Sequence, residues 1–501
     1  MEVPVQDGLF PDGGRAELSS FKQALRERIG DSPDIIYRDI VLGEVPGFLV
    51  YIEGMAEPRH ILEAIHQDVN WRDAGLERSG EDLLQLLRER IVREGKVASV
   101  ETLQQATAAL LCGNTVVFLQ GADRALAIGT EQLKQRDVQE ASSQSVVRGP
   151  REGFTESLRD NTALVRRRIR NPRLRLWQTK LGKDTQTDVA VMHIEGKADP
   201  AVLQRLLDKI VQLELDSVLE SNYIEELIQD RRYSPFPTVY NSERPDVIAS
   251  SLLEGRIAVF VDGTPFVLVV PALFAQFFQS SEDYYQRGDF ASLVRLLRYL
   301  CFAISLLTPS FYIAITTFHQ EMIPTNLLMS LIGQREGIPF PAFIEAITME
   351  ITFEILREAG IRLPKSIGQS VSIVGTLVIG QAAVEAGLVS AAMVIVVSIT
   401  AIANFALPAF NIGISVRLLR FVLMGIAASF GLYGIIIAMV MLGLHLCSLE
   451  SMGIPYMTSF APFTWRSQKD ALLRLSRRTV AKYFAHESPD RSAPGQEEGA
   501  P

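Results

Sequence analysis

The chain has 501 residues, of which 48% are hydrophobic and 21% charged, with a mean hydropathy of +0.16. That apolar excess excludes a disordered chain and puts a membrane protein first. A formal net charge of −9 with only short basic runs excludes a surface built to track phosphates, so nucleic acid is not an expected partner.

The amino terminus carries Asp7, Asp12, Glu17, Lys22, Arg26 and Glu27 and no apolar stretch of signal-peptide type, so it is expected to stay in the cytosol. Residues 1–20 read as a flexible start. A repeat follows. FLVYIEGMAEP at 48–58 matches AVMHIEGKADP at 190–200, and ALLCGNTVVFLQG at 109–121 matches SLLEGRIAVFVDG at 251–263, both at an offset of 142 with 11 identities in 24 positions. Each copy predicts a short strand ending in Gly, a helix opened by Pro58 or Pro200, and later a hairpin such as IAVFVDGTPFVLVV turning at Asp262 and Gly263. Residues 257–278 are therefore expected to be hairpin and helix instead of a membrane span. Two cytosolic α/β subdomains result, 21–147 and 148–290. The stretch joining them holds Arg166, Arg167, Arg168, Arg170, Arg173 and Arg175. It reads as a solvated face paired with acids such as those in LESNYIEEL, the alternative being contact with anionic headgroups.

Beyond about Arg298 the composition changes. Tyr299–Phe318, Ser366–Val384, Ala386–Val416 and Phe421–Leu449 contain no Asp, Glu, Lys or Arg, and roughly 20 apolar residues cross a bilayer core. Asn404, Pro408 and Asn411 predict a break late in the third window. A fifth apolar segment, 339–356, differs by carrying Glu345, Glu350 and Glu354. At 100° per residue Glu350, Glu354 and Glu358 share one face, which suits either the membrane surface or a water-filled path. The helical transmembrane domain is placed at 291–465 and a basic, then disordered, cytosolic tail at 466–501. Arg466, Lys469, Arg474, Arg477, Arg478 and Lys482 favour the cytosolic side for that tail, which requires an even number of crossings.

Chemistry has no visible seat. The six histidines form no HxH or HExxH, the three cysteines no CxxC, and GxxxxGK[ST], GxGxxG and GxSxG are absent. No catalysis, metal or cofactor is expected. In 365–385 a helical plot separates small residues, among them Gly368, Ser372 and Gly375, from a polar, uncharged stripe. That stripe holds Ser366, Gln369, Ser370, Ile373, Thr376, Leu377 and Gly380, with Gln381 at its edge. It fits a helix lining a narrow water path, completed by other copies of itself, and it equally fits a helix buried in a bundle.

The run EMIPTNLLMSLIGQREGIPFPAFIEAITMEITFEILREAGIRLPKSIGQS and its continuation to ALPAF, with RGPREGFTESLRDNTALVRRRIRNPRL and YMTSFAPF, resembles the A-subunit family of GerA-type spore germinant receptors. The resemblance spans about Phe21 to Tyr483. It implies an integral protein of the inner membrane of the bacterial endospore with a cytosolic amino-terminal domain. It also implies assembly as a homo-oligomer, a pentamer, beside a nutrient-binding, transporter-like B subunit and a lipoprotein C subunit. On that footing a nutrient-gated cation channel is expected. Ile373 and Leu377 would form its apolar gate, and Glu345, Glu350 and Glu354 a vestibule favouring cations. A non-conducting scaffold that couples a nutrient-binding partner to a separate channel is the alternative, and a secondary transporter is disfavoured because the membrane half shows no inverted repeat.

Overall fold

The computed structural model describes residues 18–66, 79–91, 96–131, 141, 144, 146–231, 233–363, 378–458, 460–463 and 470–474. Two compact units emerge. The first takes 1–232, 238–272 and 450–454, and the second takes 233–237, 273–449 and 455–501.

The first unit is the α/β part. In chain order it contains α1 (Leu18–Ile29), β1 (Ile35–Leu42), β2 (Val45–Ile52), α2 (Arg59–His66), α3 (Gly80–Ile91), β3 (Val97–Val100), α4 (Leu103–Leu111), β4 (Thr115–Leu119) and β5 (Ala125–Ile128). The second half repeats this as α5 (Leu158–Arg168), β6 (Leu174–Leu181), β7 (Thr187–Ile194), α6 (Pro200–Val211), α7 (Asn222–Ile228), β8 (Tyr240–Ser242), α8 (Pro245–Leu253), β9 (Ile257–Val261) and β10 (Val267–Val270). The two five-stranded sheets have the same order, β1-β2-β4-β5-β3 and β6-β7-β9-β10-β8. The spacing of 142 found in sequence holds from β2 to β7, β4 to β9 and β5 to β10.

Period-2 geometry explains why these strands read as unbroken apolar runs. Phe48, Val50, Val116 and Phe118 face the core under α1 and α4, whereas Leu49, Val117, Leu119 and Leu126 face the other core under α2 and α3. Both faces of the sheet are covered, so neither set is polar. Helix α6 opens as its sequence predicts, with Asp199 accepting from the Ala201 N–H ahead of Pro200 at the first helical position. Residues 257–278 are the β9–β10 hairpin followed by a short 3-10 turn, Phe274–Phe278, as expected.

The arginine-rich joint divides: Arg167, Arg170 and Arg173 are exposed, as a solvated face requires, whereas Arg166 is buried. Arg166, 1% exposed, forms a bidentate pair with Asp34 and donates Nη1 to the Leu174 carbonyl at 3.2 Å. Arg168 pairs with Glu152 and Arg175 with Glu195. The expected acids of 219–227 do not supply these partners: Glu152 and Glu195 belong to the same half as Arg168 and Arg175, and Arg166 reaches Asp34 of the first half. Residues 450–454, expected inside the helical domain, instead pack against the second sheet as part of the first unit. Met452 is buried in its core, and Ser451 Oγ donates to the Thr238 carbonyl at 2.6 Å.

Burial pushes the Glu225 carboxyl up to about 7, with Glu220 adding repulsion and the Asn241 amide, 3.2 Å away, opposing the rise. A carboxyl raised in the folded state contributes stability that is complete below its ordinary value and lost as pH rises through 7. Between pH 5 and 8 the first unit is expected to lose on the order of 3 kcal/mol from this group. Glu225→Gln should flatten that slope in thermal melts, and an unchanged pH dependence would refute the assignment.

The second unit is helical: α9 (Glu282–Tyr285), α10 (Gly288–Phe318), α11 (Thr325–Arg335), α12 (Ala342–Arg362), α13 (Ala391–Phe405) and α14 (Phe410–Ser448), with 378–385 also helical. Helices α10 and α14 are long and apolar enough to cross a membrane. Helix α14 is not one rod. At Gly431 the backbone takes φ 59°, ψ −146°, and the chain turns back. Ser415 Oγ donates to the Pro235 carbonyl while His445 Nε2 meets Ser234 Oγ at 3.0 Å, although a straight helix from Ser415 to His445 would hold them about 45 Å apart. A groove of about 860 Å³ runs between the arms, walled by Leu419, Val422 and Ile426 on one side and Ile437, Ala438 and Met441 on the other. The arms, 410–430 and 432–448, are about 31 and 25 Å long, close to the roughly 30 Å of a bilayer core.

Tyr233–Pro237 marks the base of this bundle and Gly431 its tip. Helix α10 runs from base, where Phe302 packs on Phe274, to tip, where Phe318 meets Gly431. Helix α12 returns toward the base, antiparallel to the first arm of α14, because Glu350 and Glu354 meet Arg420 and Arg417 in reverse order. Helix α13 starts beside Glu345 and ends at the base, where Asn404 lies against Gly413. The four charge-free windows therefore understate the passes: the acidic helix runs along the bundle, and the last window contains most of a hairpin.

Candidate functional site

The carboxylates singled out in sequence sit on α12, whose buried residues are Ala342, Glu345, Ala346, Met349 and Glu350. That spacing, i, i+3, i+4, i+7, i+8, is the core stripe of a packed helix. Glu345 and Glu350 thus occupy core positions. Each carboxylate faces an arginine. Glu350 Oε2 lies 3.1 Å from Arg420 Nη2, both side chains 4% exposed. Glu354 pairs with Arg417 and, at 3.5 Å, with Arg357, whose guanidinium also covers the Phe405 ring at 4.7 Å. Glu345 lies 3.5 Å from Arg335 and accepts the Ser390 N–H at 2.9 Å, satisfying the start of α13. Glu358 turns to Arg362 on the exposed side, so the expected three-carboxylate face is divided.

The carboxylates expected to form an acidic vestibule thus stand in a seam, each beside an arginine. Around Glu350 and Glu354 stand three guanidinium groups, Arg357, Arg417 and Arg420, so the locality is not net negative. Reading by charge-free windows misses Arg417 and Arg420, because they bound those windows. The usable signal is their spacing, i and i+3 within an apolar helix, matching Glu350 and Glu354 at i and i+4 on another.

Of the polar stripe, Ser366, Gln369, Ser370, Ile373, Thr376 and Leu377 lie outside the described residues. Gly380 is buried, and a Cβ there would sit 3.6 Å from Val394 of α13. The exposed residues nearby are Val378, Ile379, Gln381 and Ala382. Among the described residues no group of three His, Cys, Asp or Glu is arranged to hold a metal.

The profile of the family described as "Bacillus/Clostridium GerA spore germination protein" matches residues 23–483. The chain belongs to the GerA family. Among GerA-family relatives, spore germination protein KA of Bacillus subtilis (strain 168) is 49% identical over 453 residues, covering 90% of this chain and 83% of that protein. The uncharacterized membrane protein YfkQ of the same organism is 47% identical, covering 88% and 85%. Spore germination protein GerLA of Bacillus cereus is 38% identical, covering 92% and 93%. A crystal structure of the N-terminal domain of the A subunit of the Bacillus megaterium spore germinant receptor GerK3 is 35% identical, with a TM-score of 0.42, covering 52% of this chain and 98% of that one. This GerA-family chain is a membrane protein: its two longest described helices have the length and apolarity of spans, and they project Phe311, Ile436, Val440 and Leu444 outward, a surface suited to lipid.

Proposed function

We propose that the chain is the A subunit of a nutrient germinant receptor in the inner membrane of the endospore, with its sheet unit in the cytosol. Copies of it, five in this reading, surround a cation path that opens when a transporter-like B subunit binds nutrient, with a lipoprotein C subunit completing the receptor. The family match over residues 23–483 carries the reading. Ser366, Gln369, Ser370, Ile373, Thr376, Leu377 and Gly380 are the proposed lining, with Ile373 and Leu377 as the gate that excludes water when closed. Glu345, Glu350 and Glu354 are the proposed vestibule carboxylates, and the arginines beside them reduce the bias they can give toward cations.

The purified chain in liposomes tests this. Ile373→Ala or Leu377→Ala should raise ion leak at least about tenfold, the effect of 1.4 kcal/mol off a barrier. Leak equal to that of the parent chain in both variants would remove this segment as the lining. The burial of Gly380 against Val394 favours a second reading, in which the polar stripe packs on its own bundle and the chain is a scaffold for a separate channel. A scaffold gives no conductance with either variant.

A further inference from the structure

The Glu350–Arg420 pair is incompletely bonded. Arg420 is 3% exposed, and among the described residues its one ion pair is the 3.1 Å approach of Nη2 to Glu350 Oε2. Its Nε and Nη1, and Oε1 of Glu350, are buried with no hydrogen-bond partner among the described residues. Two donors and one acceptor are thus orphaned around a single contact, which keeps them within about 8 Å of one another. Buried polar groups left unmet are costly, and in folded proteins they are met by protein or by ordered water.

The signs of the orphaned atoms select the ligand. An anion would satisfy Arg420 but press against a free carboxylate oxygen, and a cation would do the reverse. Water donates to Glu350 Oε1 and accepts from Arg420 at once, and the separation suits one or two bridging molecules. Hydration also changes how the two helices can part. Two apolar side chains of similar volume would hold α12 to α14 at least as well as this ion pair. A pair that already shares its hydrogen bonds with water can separate by exchanging partners.

We propose that the seam between α12 and the first arm of α14 binds internal water at Arg420 and Glu350, and that α12 moves away from α14 along this wet contact when the protein changes state. The movement, though not the water, rests on the channel reading above.

Solid-state NMR of the full chain in lipid bilayers, with ¹⁵N-labelled arginine and magnetisation started on water, tests the site. Transfer to Arg420 Nε is expected, with the signal assigned by its loss in Arg420→Met. A folded chain in which Arg420 receives no transfer overturns the water site. For the movement, ion leak from liposomes is measured in the Ile373→Ala background. The paired variant Glu350→Leu with Arg420→Met, which makes the seam apolar, should lower leak about tenfold. Glu350→Gln, which keeps shape and removes charge, should raise it. Leak unchanged in both overturns the movement while leaving the water result standing, and an Ile373→Ala chain with no leak indicts the channel reading instead.

Discussion

Replacing Gly431 with alanine is expected to disrupt the helical unit through one added methyl group. At φ 59°, ψ −146° the residue occupies a region open in practice to glycine, and forcing an L side chain there costs on the order of 1–3 kcal/mol. Space compounds the strain. A Cβ would stand 2.8 Å from His319 Cε1 and 3.1 Å from Phe318 Cβ, and the latter cannot swing away because it is fixed to the end of α10. The remedy open to the chain is to straighten α14, which would pull His445 away from Ser234 and Ser415 away from Pro235. A thermal melt in detergent or nanodiscs should show Gly431→Ala lowered by several degrees or failing to assemble. Spin labels at Leu419 and Met441 supply the geometric readout. Both positions wall one groove, so a short separation is expected in the parent chain, against about 33 Å along a straight helix. A separation near the longer value in the parent would overturn the hairpin.

The second large effect is expected at Asp34. Its removal leaves Arg166, 1% exposed, as an unpaired charge between the two halves of the repeat, and stranding a buried partner in this way costs about 3–5 kcal/mol. Asp34→Ala should therefore lower the denaturant midpoint of the sheet unit and speed amide exchange in β1 and β6, the strands flanking the pair. Combining it with Arg166→Met should restore most of the loss, since no charge is then left stranded. If the single variant alone is as stable as the parent, the pair does not hold the two halves together.

Much of the sheet unit is legible along the chain. The fixed spacing of 142 marks the duplication, and Asp262 with Gly263 marks the hairpin. Both are local or periodic signals. The role of Arg166 is not legible there, because Asp34 lies 132 positions away and any exposed acid fits a basic run equally well. In the membrane half, charge-free windows find apolar helices but misplace their ends. Arg417 and Arg420 look like boundaries, yet they lie inside α14, made tolerable by Glu354 and Glu350 of another helix. Glycine is common enough in membrane helices that Gly431 gives no sign of reversing the chain.

By itself the sequence determined the α/β duplication, the helical membrane half and the GerA kinship, because strand and helix periods and a long repeat are written along the chain. The tertiary structure alone decided which charge meets which and where α14 doubles back. Those outcomes depend on atoms brought together from distant segments, and a carboxylate in an apolar helix reads the same whether it faces water or an arginine.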